Sequence, residues 1–557
     1  MKKKQLFILG VVSSMLLPCV MKGKPTSSTY DAGSGIRIFG DVVNALNTFY
    51  VDTIDMKKNI ENAINGFFYG LDPYVEYVSA EDASQYVSSI TSGEYGGIGS
   101  VVTKGSSGVV ELREPYEGMP AAEAGLQSGD RIVGIDTFDT RSWDVEKVSK
   151  HLRGEAGTTL TLRVVRPYVS DSIREVTLKR GKIQMPTVNY YTALSSGVGY
   201  ISLESFKESS PEEVKNAILD LKNNHHITSL ILDLRGNGGG LLESAIEIVN
   251  FFVPKNTEVL RTRGRAADSE RIYKTVDKAL VPDMPLCVMV DEASASASEV
   301  VTGALQDLDR AVVVGSRTFG KGLVQNSLPI ARNSLLKFTS AKYYLPSGRL
   351  IQALDYSHRD EEGNVLRTPD SLTNVYLTRN KREVRDGGGI TPDSIFDKKK
   401  MSTLVYQIVY SNIIYDYATR YHAEHPEIAS AEEFVVDDAL WSDFKSSINA
   451  ETLKYGDTLI KAVDDLRDAV DDDGLLTDSV SNVLAQLKEL LRGDLDADLD
   501  RNRESIEPLL AVDIVMRYYY ERGIEIQSMK YDSWIPRAAA IVSDETQYKK
   551  ILSPNKK

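Results

Sequence analysis

Between residues 181 and 400, short unbroken apolar runs alternate with amphipathic helical stretches, and this alternation constrains the fold more than any other feature of the chain. Val198–Leu203, residues 229–234, Leu286–Val290 and residues 311–314 are too short for buried helices and carry no polar alternation. Each therefore reads as a strand covered on both faces. Among them, Val214, Ala217, Ile218 and Leu221 recur at helical spacing, and residues 241–252 read as a second helix. Ser210-Pro211-Glu212-Glu213 is expected to start the first helix, with Ser210 as N-cap, proline at the first position and Glu213 closing a capping box. Apolar strands separated by helices imply a mixed α/β core.

The flanking regions have other textures. Residues 36–90 read as helical, with Val42, Val43, Leu46, Phe49 and Tyr50 on one stripe and Ile60, Ile64, Phe67 and Phe68 on another. Gly70-Leu71-Asp72-Pro73 breaks that pattern. From Ser92 onward glycines cluster at Gly93, Gly96, Gly97 and Gly99. β-type runs follow at residues 98–102, 109–112, 131–135, 159–165 and 175–178, with a short helix expected at residues 120–126. That is a β-rich module of about 90 residues, within the usual domain range. Residues 401–557 return to helical, charge-rich sequence, with an acidic run at residues 464–473. The 557 residues thus divide into an N-terminal segment 1–24, a helical region 25–91, the β-rich module 92–181, the α/β core 182–400 and a helical extension 401–557.

Lys2, Lys3 and Lys4, an apolar run at residues 6–17 and a polar stretch at residues 22–29 have the layout of a secretory signal peptide. The apolar run falls short of the roughly 20 residues a membrane span needs. The chain is therefore expected to be exported, to the periplasm or cell envelope. Lipid anchoring at Cys19 ranks lower, because Pro18 stands where a small residue normally precedes such a cysteine. The net charge of −14 excludes a basic nucleic-acid-binding face as the main feature. Cys19 and Cys287 are the two cysteines, and Cys287 lies in an apolar run where core packing is its expected role. With no CxxC and no HExxH, a structural zinc site is not indicated. Asp496, Asp498, Asp500 and Glu507 echo a calcium loop, but Arg501 occupies the position that requires glycine, so a solvated helix face is the better account.

Three stretches could carry chemistry. In residues 291–299, Asp-Glu-Ala-Ser-Ala-Ser-Ala-Ser-Glu, a buried strand runs through small residues into a helix. A serine there meets the positive end of the helix and leaves room for a substrate backbone. Taken alone, such serines equally read as helix caps. In residues 315–325, Lys321 sits between Gly320 and Gly322 after an apolar strand, and burial could lower its pKa enough for it to act as a base. Its flanking residues do not complete a phosphate-binding loop. In residues 233–240 a strand ends in Gly236-Asn237-Gly238-Gly239-Gly240, whose backbone N–H groups could face an anion or simply make a tight turn.

Together and in this order, the three stretches resemble the C-terminal processing peptidases, or tail-specific proteases, of the S41 type, and the resemblance spans roughly residues 36–400. It implies a protease core of the crotonase or Clp-protease kind. The middle serine of Ser294-Ala-Ser-Ala-Ser-Glu299 falls on the family's nucleophile, making Ser296 the expected nucleophile. Thr318-Phe-Gly-Lys-Gly322 matches the family's base, Lys321, and Gln325 matches the glutamine that orients it. The glycine loop implies an oxyanion hole built from the backbone N–H groups of Gly239 and Ala297. Residues 343–352 and 389–393 resemble further core segments. Gly238 departs from a common proline, and Glu292-Ala293 replaces a more usual pair; neither removes a catalytic group. The β-rich module resembles a PDZ domain, with Tyr95, Gly96, Gly97, Ile98 and Gly99 as the loop that receives a peptide C-terminus through backbone N–H groups.

The resemblance implies a serine endopeptidase acting near the C-termini of exported proteins, with protein or peptide substrates that expose a C-terminus and no nucleic-acid partner. Membrane association through the N-terminus, self-association and an adaptor protein stay open. The runner-up is a catalytically silent PDZ scaffold on a protease-like core, disfavoured because Ser296, Lys321 and Gln325 are all present. A Ser–His–Asp triad is also weighed: there is no GxSxG, and His225 and His226 lie in a polar turn, although triad partners need not be near in sequence.

Overall fold

The computed structural model describes residues 31–554 apart from 267, 399, 450–452, 454 and 492. The basic and apolar stretch at residues 2–17 and Cys19 lie outside the described residues.

The α/β core is a six-stranded sheet in the order Val188–Ala193, Val198–Leu203, Ser229–Asp233, Leu286–Val290, Val312–Gly315, Ser394–Ile395. The first pair is antiparallel and the remaining pairings are parallel. Successive side chains on a strand point to opposite faces, and two separate apolar layers result. Leu230, Leu232, Val288, Val290 and Val313 pack with the helices Ser210–Asn223, Leu242–Asn250 and Ala297–Asp307. Ile231, Cys287, Met289, Val312 and Val314 pack instead against Trp534, Ile535, Ala538 and Val542 of the helix Trp534–Ser543. Tyr548 of the next helix closes this second layer, its hydroxyl meeting Leu286 N (3.1 Å) and Arg310 O (3.1 Å). Cys287 is fully buried there, as its apolar run implied.

The capping box expected at residues 210–213 does not form. The helix has Ser209 at its N-cap. The Ser210 hydroxyl accepts from Lys207 N (2.7 Å) and donates to Ser205 O (3.1 Å). The Glu213 carboxylate receives the N–H groups of Thr187 (2.7 Å) and Val188 (3.0 Å). Two amide donors at the start of a strand outcompete the one that a cap would offer.

A second sheet lies beside the first. Its long strand Leu335–Tyr344 pairs with Leu323–Pro329, Glu258–Gly264 and Glu76–Val78. The N-terminal region is thus not helical throughout: helices Ala32–Phe49, Met56–Phe68 and Ala83–Ile90 are interrupted by the strand Glu76–Val78. Pro73 disfavours helix in the residue before it, and the β-forming Val75, Tyr77 and Val78 find an edge to pair with.

The β-rich module is an antiparallel sheet of Ser100–Lys104, Val110–Pro115, Arg131–Ile135, Thr159–Arg166 and Ser170–Lys179, with the helix Val145–Leu152 over its core. Its root is the pairing of Tyr95–Gly97 with Gly181–Ile183. It leans on the C-terminal helices, where the Tyr415 hydroxyl donates to Leu112 O (2.7 Å). Those helices have a core of their own around Phe434, Trp441, Phe444, Ile506 and Leu510. Asp496 and Asp500 sit on the helix Leu495–Arg501 and both pair with Lys445, at 2.9 and 2.8 Å. Among the described residues no helix is long and apolar enough to cross a membrane.

Candidate active site

Leu286–Val290 ends where the chain must turn sharply into the helix Ala297–Asp307. The turn closes on Ser296, with φ 58° and ψ −114°. A non-glycine residue held there stores about 1–3 kcal/mol, which surrounding contacts must offset. Those contacts are visible. The Asp291 carboxylate accepts from Gly236 N (3.0 Å) and Ala293 N (3.1 Å). The Ser294 hydroxyl donates to Leu234 O (2.7 Å), and the Ser298 hydroxyl donates to Asn237 O (2.8 Å). The two flanking serines therefore bolt this turn to the glycine loop, while Ser296 stands partly exposed at the junction.

The glycine loop presses directly on that junction. Gly239 has φ 103°, and a side chain there would start 2.8 Å from Ser296 Cβ and 2.9 Å from Ala297 N. Only glycine allows this approach. Ala297 is the first residue of its helix, so its amide lacks an acceptor within the helix. Gly239 N donates to Asn237 Oδ1 (2.9 Å) in this state. Asn237 is fully buried, and its Nδ2 donates to Leu203 O (2.7 Å). Upstream, Arg235 grips Asp233 (2.6 Å) and Asp532 (2.7 Å).

Lys321 belongs to a loop anchored at the same place. Gly320 has φ 91°, and a Cβ there would meet Ala353 Cβ at 2.4 Å. Around it, Ala353 N donates to Gly320 O (2.9 Å), Thr318 N to Ile390 O (3.1 Å) and Gly322 N to Gln352 Oε1 (2.7 Å). Residues 343–352 and 389–393 are thus the walls against which the lysine loop is built.

Two side chains that sequence reasoning did not single out join this loop to the serine. Glu299 is fully buried. One of its oxygens accepts from Ser296 N (3.0 Å) and Lys321 N (2.8 Å); the other accepts from Gly320 N (2.8 Å) and Thr318 Oγ1 (2.5 Å). From the opposite side, the buried Tyr343 hydroxyl donates to Lys321 O (2.7 Å) and lies 3.3 Å from Ser296 O. The backbones of Ser296 and Lys321 are therefore held by a carboxylate on their N–H groups and a phenol on their carbonyls. Glu299 was legible in principle, because Ser-x-x-Glu before an apolar helix is a capping signature; Tyr343 carried no local signal. Removing the phenol strands a buried carbonyl, a loss of about 1–3 kcal/mol. Tyr343→Phe should lower kcat severalfold, leave KM unchanged and drop the thermal midpoint by a few degrees, read by steady-state kinetics and calorimetry.

The electrostatics suit a base. Burial depresses the Lys321 amine from 10.5 to about 8, helped by Lys337 and opposed by Asp72 and Glu299. Burial pushes Glu299 up to about 7 against the pull of its four donors. Gln325 lies on the strand after the lysine, and its Nε2 donates to Thr339 Oγ1 (3.3 Å). Five of the six histidines have other partners: His225 pairs with Asp220 and His358 with Asp355, while His151, His422 and His425 pack on aromatic rings. In the β-rich module, the carbonyls of Gly96, Ile98 and Gly99 are tied inward to Gly154 N, Ala121 N and Tyr116 N.

The chain is similar to known proteins. Three family models match the chain: "PDZ domain" over residues 111–166, "Peptidase family S41" over residues 197–356, and "Probable PDZ-protease, C-terminal helical domain" over residues 404–542. The "Carboxy-terminal-processing protease" of Bartonella bacilliformis is 35% identical over 356 residues, covering 63% of this chain and 81% of that protein. The "Probable CtpA-like serine protease" of Staphylococcus epidermidis is 35% identical over 348 residues, covering 62% of this chain and 68% of that protein. A solved structure of the photosystem II D1 C-terminal processing protease is similar at 24% identity, with 65% of this chain and 92% of that chain covered and a TM-score of 0.36.

Proposed function

From the premise that the chain belongs to peptidase family S41 and is a serine-type C-terminal processing endopeptidase, we propose that its chemistry runs on a dyad of Ser296 and Lys321. Neutral Lys321 Nζ takes the Ser296 hydroxyl proton as Oγ attacks the scissile carbonyl carbon. The oxyanion is received by the Ala297 amide and by the Gly239 amide, once Gly239 exchanges the Asn237 oxygen for it. The lysinium then gives its proton to the departing amine nitrogen. Lys321 takes a proton from the water that attacks the remaining ester, then returns it to Ser296 Oγ as the carbon–Oγ bond breaks, which restores both groups and releases the new carboxylic acid. Gln325 is assigned to orient the lysine at the stage when substrate has arrived.

The observation that carries this reading is the convergence of the Ser296 and Lys321 amides on a single buried Glu299 oxygen, beside a lysine whose pKa is lowered to about 8. It also weighs against a silent scaffold, which has no need of a strained serine and a desolvated lysine tied through their backbones to one carboxylate. The PDZ domain is the peptide-binding part. We assign the substrate's C-terminal carboxylate to the backbone of Tyr95, Gly96, Gly97, Ile98 and Gly99, with the peptide adding a strand beside Ser100–Lys104, which ends its sheet. Residues 1–24 support export to the periplasm or cell envelope. Residues 25–91, 92–181, 182–400 and 401–557 remain our division of the rest.

A fluorophosphonate probe tests the reading. It should label the wild type at Ser296 and fail on Ser296→Ala. Because the base form is unprotonated, labelling should accelerate about tenfold per pH unit below 8 and level off above it. A rate that is flat from pH 6 to 9 would remove Lys321 as the base.

A further inference from the structure

The family models begin at residue 111, yet a segment well before that reaches the catalytic lysine. The Lys321 amine lies 4.1 Å from the ring centroid of Tyr74. Tyr74 belongs to a strap that is fixed at both ends. Upstream, Asp72 Oδ1 accepts from Tyr74 N (3.1 Å), and Arg359 reaches Leu71 O (3.4 Å). Downstream, Glu76, Tyr77 and Val78 pair antiparallel with Lys337, Leu336 and Leu335, and the Tyr77 hydroxyl meets Ser334 Oγ (3.0 Å). The ring itself is set by Tyr356, whose ring stands edge-on at 5.8 Å and whose hydroxyl is 3.2 Å from that of Tyr74. A ring this firmly held over an amine is not a loose surface aromatic.

We propose that the strap of residues 71–78 is a wall of the active site, with Tyr74 a positioning residue that covers the Lys321 amine and Asp72 a carboxylate that counters it. This rests on Lys321 acting as the base.

Tyr74 of the strap faces the amine, and the charges that act on it come from several elements: Asp72 from the strap, Glu299 from the helix Ala297–Asp307, and Lys337 from the long strand of the second sheet. A ring over an ammonium attracts its charge, and the same ring excludes water from it. Burial is the larger influence here, because the net displacement is downward. Tyr74 therefore helps to make Lys321 a base near neutrality, and Asp72 moderates the effect.

The two strap residues give opposite expectations, both read from kcat/KM for an unfolded protein substrate between pH 6 and 10.5. In Tyr74→Ala water reaches the amine, and the acid limb moves up by about one unit. Activity at pH 7.5 then falls about tenfold and returns above pH 10. Tyr74→Phe, which keeps the ring, restores the wild-type limb. Asp72→Asn keeps an acceptor for Tyr74 N, removes the charge and moves the limb below that of the wild type. A Tyr74→Ala limb at the wild-type position, or a loss equal at every pH, overturns the proposal, as does an unmoved limb in Asp72→Asn. The dyad fails separately: if Lys321→Ala keeps both activity and the acid limb, the base was misassigned whatever the strap variants do.

Discussion

Lys321→Ala is expected to lower kcat/KM for an unfolded protein with an apolar C-terminal tail by about a thousandfold or more. Ser296→Ala should do the same, and the double variant should be no worse than either single one. A serine hydroxyl is a weak nucleophile at neutral pH, and its activation by an adjacent base is the whole of its advantage. Residues that act as a unit show such non-additivity, because once one is gone the other has nothing to act on. What survives is binding plus the oxyanion amides of Ala297 and Gly239, which the substitutions leave in place. Losses that multiply in the double variant would mean that the two side chains contribute independently, and the dyad would have to be abandoned. Both variants should unfold close to the wild-type temperature, since Ser296 and Lys321 are held through their backbones by Glu299 and Tyr343.

Glu299→Gln should separate activity from stability. Each carboxylate oxygen receives two donors. An amide of the same shape offers one oxygen and one NH2. In either flip the NH2 confronts backbone N–H groups, of Ser296 and Lys321 or of Gly320. One side of the junction loses its anchor, and kcat should fall about a hundredfold, because small misplacements of reacting groups are costly. The folded pKa of Glu299 is raised from 4.5 to about 7. The protonated form therefore suits the fold better. That advantage is fully present below pH 4.5, is lost as pH rises through 7, and above 7 the buried charge costs about 3 kcal/mol. Glutamine removes this cost and leaves orphaned donors worth about 1–3 kcal/mol each. The two changes nearly cancel, so calorimetry at pH 8 should show a thermal midpoint within a few degrees of the wild type. A midpoint drop of ten degrees or more would mean that Glu299 is a structural strut and its catalytic effect secondary.

The parts of this fold that sequence conveys are those made by local pattern. Leu286–Val290 and Val198–Leu203 could be read to the residue because strands buried on both faces leave an unbroken apolar signature. The three candidate stretches stood out through a family resemblance, and their glycines have a physical reason in close backbone approach at Gly239 and Gly320. What escaped was set by distant partners. Nothing near Glu213 announces that it will serve Thr187 and Val188 instead of its own helix. Nothing near Tyr343 announces that its hydroxyl will meet the carbonyls of Ser296 and Lys321. Tyr74 directly follows the helix breaker at residues 70–73, and its position over Lys321 follows from a three-residue pairing with a strand some 260 residues later. Such tertiary pairings override local preference and leave no local trace.

The second face of the central sheet has a consequence for timing. Ile231, Cys287, Met289, Val312 and Val314 are covered by the helices Trp534–Ser543 and Glu545–Ile551, whereas the last strand of that sheet ends at Ile395. Closing a loop that long is slow, and an uncovered apolar sheet is sticky while it waits. The same distant segment supplies Asp532, which holds Arg235 at the mouth of the glycine loop. As the chain emerges N-terminus first, Ser296 and Lys321 are both present long before Asp532 can reach Arg235. The surroundings of the glycine loop are therefore among the last parts of the core to be fixed in place.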